Sequence, residues 1–156
     1  MGKSWAVFVS LVVGVLLTAA LASADAPPPT TFVAVLTADQ EVPLCEPAGS
    51  DARGLGIFHV VDQASGTVRW KLVANNLPGD ITAAHIHIAP SGVPGPVVQP
   101  TLPTPGAENG VIGEGTFTNP ALLAAMQANP EAYYVNVHTD VCGPGVIRGQ
   151  LGEQGP

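Results

Sequence analysis

The sequence predicts an all-β fold, an antiparallel sandwich or partly closed barrel with one short helix, and three observations lead there. Apolar residues recur at a spacing of two in short runs, the signature of half-buried strands. The 18 Gly and 16 Pro are spread without a period, which suits many turns and not a helical bundle. Only one segment, opening at Asn119-Pro120, carries helix-start chemistry.

Along the chain, Met1 to Trp5 carries one positive charge, Ala6 to Ala22 is almost wholly apolar, and Ala22-Ser23-Ala24 is a small-x-small site. Together these read as a secretory signal peptide over 1–24, with cleavage after Ala24; the competing reading is a retained membrane anchor. Residues 25–30 follow as a Pro-rich leader that cannot pair as an inner strand. The folded domain is then expected over 31–152.

Its first strand is Thr31 to Leu36. Gly54 to Asp62 and Thr67 to Ala74 form a hairpin about the Gly-bearing turn Gln63-Ala64-Ser65-Gly66. In the second of these, Val68, Trp70 and Leu72 share the core face while Arg69 and Lys71 share the wet one. Ile81 to Ala89 is the next strand, and Pro90 to Pro105 reads as a Pro/Gly-rich loop. After Val111 to Phe117, Asn119 caps a helix that begins at Pro120, runs through Leu122, Leu123 and Met126, and ends near Ala128. Tyr133 to Thr139 and Val146 to Leu151 complete about seven strands.

Charge and composition exclude some functions. With 5 Lys+Arg against 12 Asp+Glu the net charge is −7, and loss of Lys3 makes the exported chain one unit more negative. Neither nucleic acid nor an anionic membrane suits it as a main partner. Both cysteines, Cys45 and Cys142, lie beyond the signal segment, and an even count in an exported chain favours one disulfide over two buried thiols. Closing a loop of about 100 residues sets a ceiling near 4 to 5 kcal/mol on its stabilisation. Neither cysteine has the spacing of a metal-binding pair.

The histidines carry the chemistry. In Ala83-Ala84-His85-Ile86-His87-Ile88 a period of two puts both imidazoles on one face, about 7 Å apart along the strand. Tyr134-Val135-Asn136-Val137-His138 alternates likewise, with Tyr134, Asn136 and His138 opposite the core residues. If the two strands are neighbours, His85, His87 and His138 converge, and three imidazoles without a thiolate suit copper or zinc. His59 is a candidate fourth ligand or a residue at the rim of the core. Asp80 and Asp140, the acids nearest the histidines, have a sufficient explanation as turn residues. A bare hydrogen-bonding role for the histidines is the competing reading.

Other catalytic patterns are missing. Ser65 and Ser91 sit in turns and not in a nucleophile elbow, and neither Gly54-Leu55-Gly56 nor Gly113-Glu114-Gly115 leads into a helix as a phosphate cradle does. Glu41 and Arg148 are read as a structural pair locking the exit of the first strand to the last strand.

Several blocks in order carry a resemblance: Ala38-Asp39-Gln40-Glu41-Val42-Pro43, Thr82-Ala83-Ala84-His85-Ile86-His87, Gly95-Pro96-Val97-Val98, Tyr134-Val135-Asn136-Val137-His138-Thr139 and Ile147-Arg148-Gly149-Gln150-Leu151. From about Phe32 to Leu151 the chain resembles the CHRD domain, a module first described in chordin and found alone in many exported bacterial proteins. The resemblance implies a β-sandwich of immunoglobulin-like or copper/zinc superoxide dismutase-like character, with no established enzymatic activity. It also implies that the three-histidine face is a family feature, since the HIH and YVNVH blocks fall on His85, His87 and His138. Val146 stands where the family usually has an acidic residue, and Cys45 and Cys142 are additions to the common pattern. If bridged, they would staple two segments that the family already brings together.

The leading expectation is therefore a secreted or periplasmic, non-enzymatic module that binds a copper or zinc ion, or an extracellular protein partner, through the histidine face. A superoxide dismutase-like copper enzyme is the first alternative. Against it, the interval between His87 and His138 contains no histidine for a second metal, and the mature chain has few cations to draw an anionic substrate. A purely structural or adhesive domain is the second alternative.

Overall fold

The computed structural model describes residues 27–45, 51–101 and 109–153. The expected signal peptide, and the first two residues of the leader, lie outside them. Eight strands form a single antiparallel sheet: β1 (Thr31–Thr37), β2 (Arg53–Asp62), β3 (Thr67–Asn75), β4 (Ile81–Ile88), β5 (Val97–Thr101), β6 (Gly110–Thr118), β7 (Tyr133–Thr139) and β8 (Ile147–Glu153). Their order is β5-β4-β7-β8-β1-β2-β3-β6. The edge strands β5 and β6 touch, so the sheet curls into a nearly closed barrel around its own core.

The core follows from alternation. Phe32, Ala34 and Leu36 of β1, Phe58 of β2, Val68, Trp70 and Leu72 of β3, Ile86 of β4 and Val135 and Val137 of β7 all point inward and are buried. Each large apolar side chain so buried contributes about 1.5 to 3 kcal/mol. Helix α1 (Pro120–Ala128) plugs the barrel with Leu122, Leu123 and Met126. Its start is as expected: Asn119 Oδ1 accepts from the Leu122 N–H at 3.1 Å, and Pro120 occupies the first turn. In the β2–β3 turn, Asp62 Oδ1 accepts from the N–H groups of Ala64 and Ser65.

Two expectations need correction. The loop expected over Pro90 to Pro105 contains β5, which pairs with β4 and places Pro100 opposite His85. Pro100 masked the strand in the sequence; it is tolerated because β5 is an edge strand and the proline gives up no inner ladder bond. Glu41 and Arg148 are both buried but form no ion pair with each other. The Glu41 carboxylate instead accepts from Asn136 Nδ2 and the Val42 N–H, while Arg148 donates to backbone carbonyls and Gln150.

Cys45 and Cys142 are joined in a disulfide, with Cα atoms 5.9 Å apart and a sequence separation of 97. It ties the segment after β1 to the β7–β8 turn. Among the described residues no helix is long and apolar enough to cross a membrane.

Candidate metal centre

β4, β7 and β8 lie side by side, and their register sets the outer face. His85 stands opposite Asn136, His87 opposite Tyr134, and His138 opposite Ala83, so His138 is a diagonal neighbour of His85. On β8, Arg148 stands opposite Asn136 and Gln150 opposite Tyr134. The result is a polar layer of histidine, tyrosine, asparagine, arginine and glutamine on the side away from the core.

The structure brings His85, His87 and His138 together, each offering a ligand atom within 4.8 Å of the others. His85 Nδ1 lies 3.0 Å from His138 Nε2. His87 Nδ1 lies 2.8 Å from the Gly95 carbonyl oxygen, and His138 Nδ1 lies 2.9 Å from that of Gly143. A carbonyl only accepts, so both of these rings carry their proton on Nδ1 and keep a lone pair on Nε2. His85 must then donate from Nδ1 to His138, which leaves its own Nε2 with a lone pair. The Nε2 of His87 is buried and has no partner.

Electrostatics keeps these rings neutral. Burial holds His85 down to about 4, and the neighbouring His138 and His87 add to the effect. His87 is lowered by burial, against the raising effect of its bond to Gly95, with smaller contributions from His138 and Arg148. Burial also lowers His138, opposed by its bond to Gly143. At neutral pH the rings are therefore uncharged; the Nε2 lone pairs of His85 and His87 have no protein partner, while that of His138 accepts from His85 and is offered to a cation only when that bond gives way.

The layer is roofed, not open to water as a bare outer face would be. Tyr134 stacks on His87 with ring centroids 4.7 Å apart, and the Arg148 guanidinium carbon sits 3.5 Å from the Tyr134 centroid. Arg148 donates to the carbonyls of Pro90 and Val93 at 2.9 and 3.0 Å, and Gln150 donates to that of Ala89 at 3.0 Å. These bonds pin the segment between β4 and β5 across the sheet. Gly95, within that segment, donates its N–H to the Tyr134 hydroxyl while its carbonyl receives His87. A Cβ on Gly95 would collide with the Ile88 carbonyl oxygen, so only glycine lets the chain approach this closely.

A second buried pair flanks the layer. Glu41 accepts two bonds from Asn136 Nδ2, at 2.9 and 3.0 Å. Its pKa is raised by burial, against the lowering effects of the Val42 N–H, Asn136 and the Arg148 charge. Gly145, at φ +146°, passes directly over this pair; a Cβ there would strike Glu41 Oε2 and the Asn136 amide.

His59 does not join the cluster. It lies on β2, three strands from β7, where its Nδ1 is 3.0 Å from Thr31 Oγ1. It lines an open groove of about 550 Å³ with Ile57, Arg69, Lys71 and Glu114. Asp80 and Asp140 bind each other's backbone as turn residues: Asp80 N–H donates to Asp140 Oδ1 and Asp140 N–H to the Asp80 carbonyl. The residues of the site that sequence reasoning left without a role are Gly95, Gly143 and Tyr134, and it placed Arg148 with Glu41 and not over Tyr134. Gly95 and Tyr134 lie in distinctive blocks, but a backbone carbonyl as histidine partner leaves no side-chain signal.

The family model for the CHRD domain matches residues 32–151, from β1 through β8. Among solved structures, the chain is similar to one described as "Crystal Structure Analysis of the clock protein EA4", at 14% identity and a TM-score of 0.49, over 85% of this chain and 99% of that one. A search of curated proteins returns no match.

Proposed function

From the premise that this chain belongs to the CHRD domain family, we propose that it is an exported binding module, not an enzyme, which holds one copper or zinc ion between His85, His87 and His138. The observation that carries the reading is the Nε2 of His87, buried without a partner. A buried acceptor left unpaired costs about 1 to 3 kcal/mol, and a cation supplied to it removes that cost. The donor set fits: three neutral imidazoles, two of them oriented by backbone carbonyls as metal-ligating histidines are oriented by their outer partners. None of the three is hydrogen-bonded to a hydroxyl or carboxylate side chain that could serve as nucleophile or acid–base partner. Export is supported by the Cys45–Cys142 disulfide, which belongs to an oxidising compartment, together with the leader-like N-terminus.

The test is the metal content of the mature chain, purified from a secreting host without an affinity tag. Near-stoichiometric copper or zinc is expected in the wild type and none in a His85→Ala/His87→Ala variant. A wild type that stays metal-free after incubation with both ions overturns the reading and returns the histidines to a structural role.

A further inference from the structure

We propose that the three-histidine centre takes cuprous copper in preference to any divalent ion; the inference rests on the metal-binding reading above. Its basis is the charge of the ligands and of the groups bonded to or stacked on them. The ligand cluster contains no carboxylate and no thiolate. Its outer partners are neutral as well, because His87 and His138 donate to the carbonyls of Gly95 and Gly143. Zinc-ligating histidines often donate instead to a carboxylate, which raises the basicity of the ring.

A positive charge is packed on the histidine layer. Arg148 is 1% exposed and lies over Tyr134, the same ring that stacks on His87. Its hydrogen bonds go to three uncharged oxygens, those of Pro90, Val93 and the Gln150 side chain, so no acid neutralises it by direct contact. Glu41, the buried acid nearby, is engaged by the Asn136 amide and the Val42 N–H and makes no ion pair with Arg148.

An ion entering this layer therefore meets neutral ligands, a partly buried setting and a guanidinium one ring away. Repulsion from Arg148 grows in proportion to the charge of the ion, and the cost of desolvation grows with its square. Of the metals that imidazole binds well, copper is the one with an accessible monovalent state. A divalent ion would have to bring an anion with it to reach the same net charge.

The experiment compares dissociation constants on the mature chain. Cu(I) is titrated in competition with bicinchoninate under nitrogen, with ascorbate as reductant so that the disulfide is spared; Zn(II) and Cu(II) are titrated against chromophoric chelators at the same pH. Cu(I) is expected to bind at least about tenfold more tightly than either divalent ion. In Arg148→Met the preference should shrink, chiefly by a gain in divalent affinity. Equal or tighter binding of Zn(II) or Cu(II) by the wild type overturns the cuprous preference alone. No binding of any of the three overturns the metal-binding reading and this inference with it. Because the wild-type comparison decides the matter, a failure of Arg148→Met to fold does not leave it open.

Discussion

His87 and Gly95 hold each other across the gap between a strand and the segment that follows it. The ring donates from Nδ1 to the Gly95 oxygen at 2.8 Å, and the Gly95 N–H is held in turn by the Tyr134 hydroxyl at 3.0 Å. Tyr134 also stacks on His87, so three groups fix one another and leave the Nε2 of His87 unpartnered in the cluster with His85 and His138. The direction of that lone pair is set by a carbonyl, and the carbonyl is set by a glycine.

Gly95→Ala should therefore weaken metal binding by about 10- to 100-fold, the usual cost of losing an outer partner of a metal ligand. The added Cβ collides with the Ile88 carbonyl and pushes the Gly95 oxygen away from His87. Competition titration measures the loss, and an unchanged circular dichroism spectrum shows that the barrel persists. Wild-type affinity in this variant contradicts the positioning role.

The Cys45–Cys142 bridge closes 97 residues and ties the approach to the histidine layer to the turn that carries Gly143. Replacing both cysteines with alanine should lower stability by about 2 to 5 kcal/mol. Denaturant unfolding of the two proteins gives the difference. Alkylation of the untreated exported chain should label neither thiol.

Acid should destabilise the metal-free protein. Unfolded histidines titrate near 6.5, whereas in the fold His85 is held to about 4 and His87 and His138 are also lowered. Between these values the unfolded chain binds more protons, so stability is fully present above pH 6.5 and drains away as the pH falls towards 4. Glu41, raised by burial, acts in the opposite sense: its contribution is present below 4.5 and lost as pH rises through its folded value. With three histidines against one carboxylate, the urea midpoint should fall between pH 7 and pH 5, and the fall should be smaller in His85→Ala/His138→Ala. A midpoint that rises on acidification contradicts this balance.

Gly145→Ala tests the flanking pair. The residue sits at φ +146°, and its Cβ would meet Glu41 Oε2 and the Asn136 amide. Backbone strain alone should cost about 1 to 3 kcal/mol, and displacement of the Glu41–Asn136 bonds adds to it. Thermal melting of the variant checks this; a loss below a few tenths of a kcal/mol contradicts the contact.

Much of the fold is legible in local pattern. Val68, Trp70 and Leu72 alternate with Arg69 and Lys71 and occupy the faces that alternation assigns them. Asn119-Pro120 announces the helix, and Asn119 caps it. His85 and His87 share a face because a strand repeats every two residues. β5 escapes such reading because Pro100 speaks against a strand, and only the edge position makes it harmless.

The sequence by itself determined the antiparallel strands, the helix and the pairing of two histidines on one face, since these depend on residues close together in the chain. It also brought forward Cys45 and Cys142 as partners, because they are the chain's two cysteines. Tertiary structure alone decided that His138 joins His85 and His87 while His59 does not, through a strand order that puts β7 beside β4 and β2 three places away. It likewise decided that Glu41 goes to Asn136 and Arg148 to the carbonyls of Pro90 and Val93. Those choices rest on which buried polar groups lie within hydrogen-bond reach once the sheet has curled, and no local pattern encodes that distance.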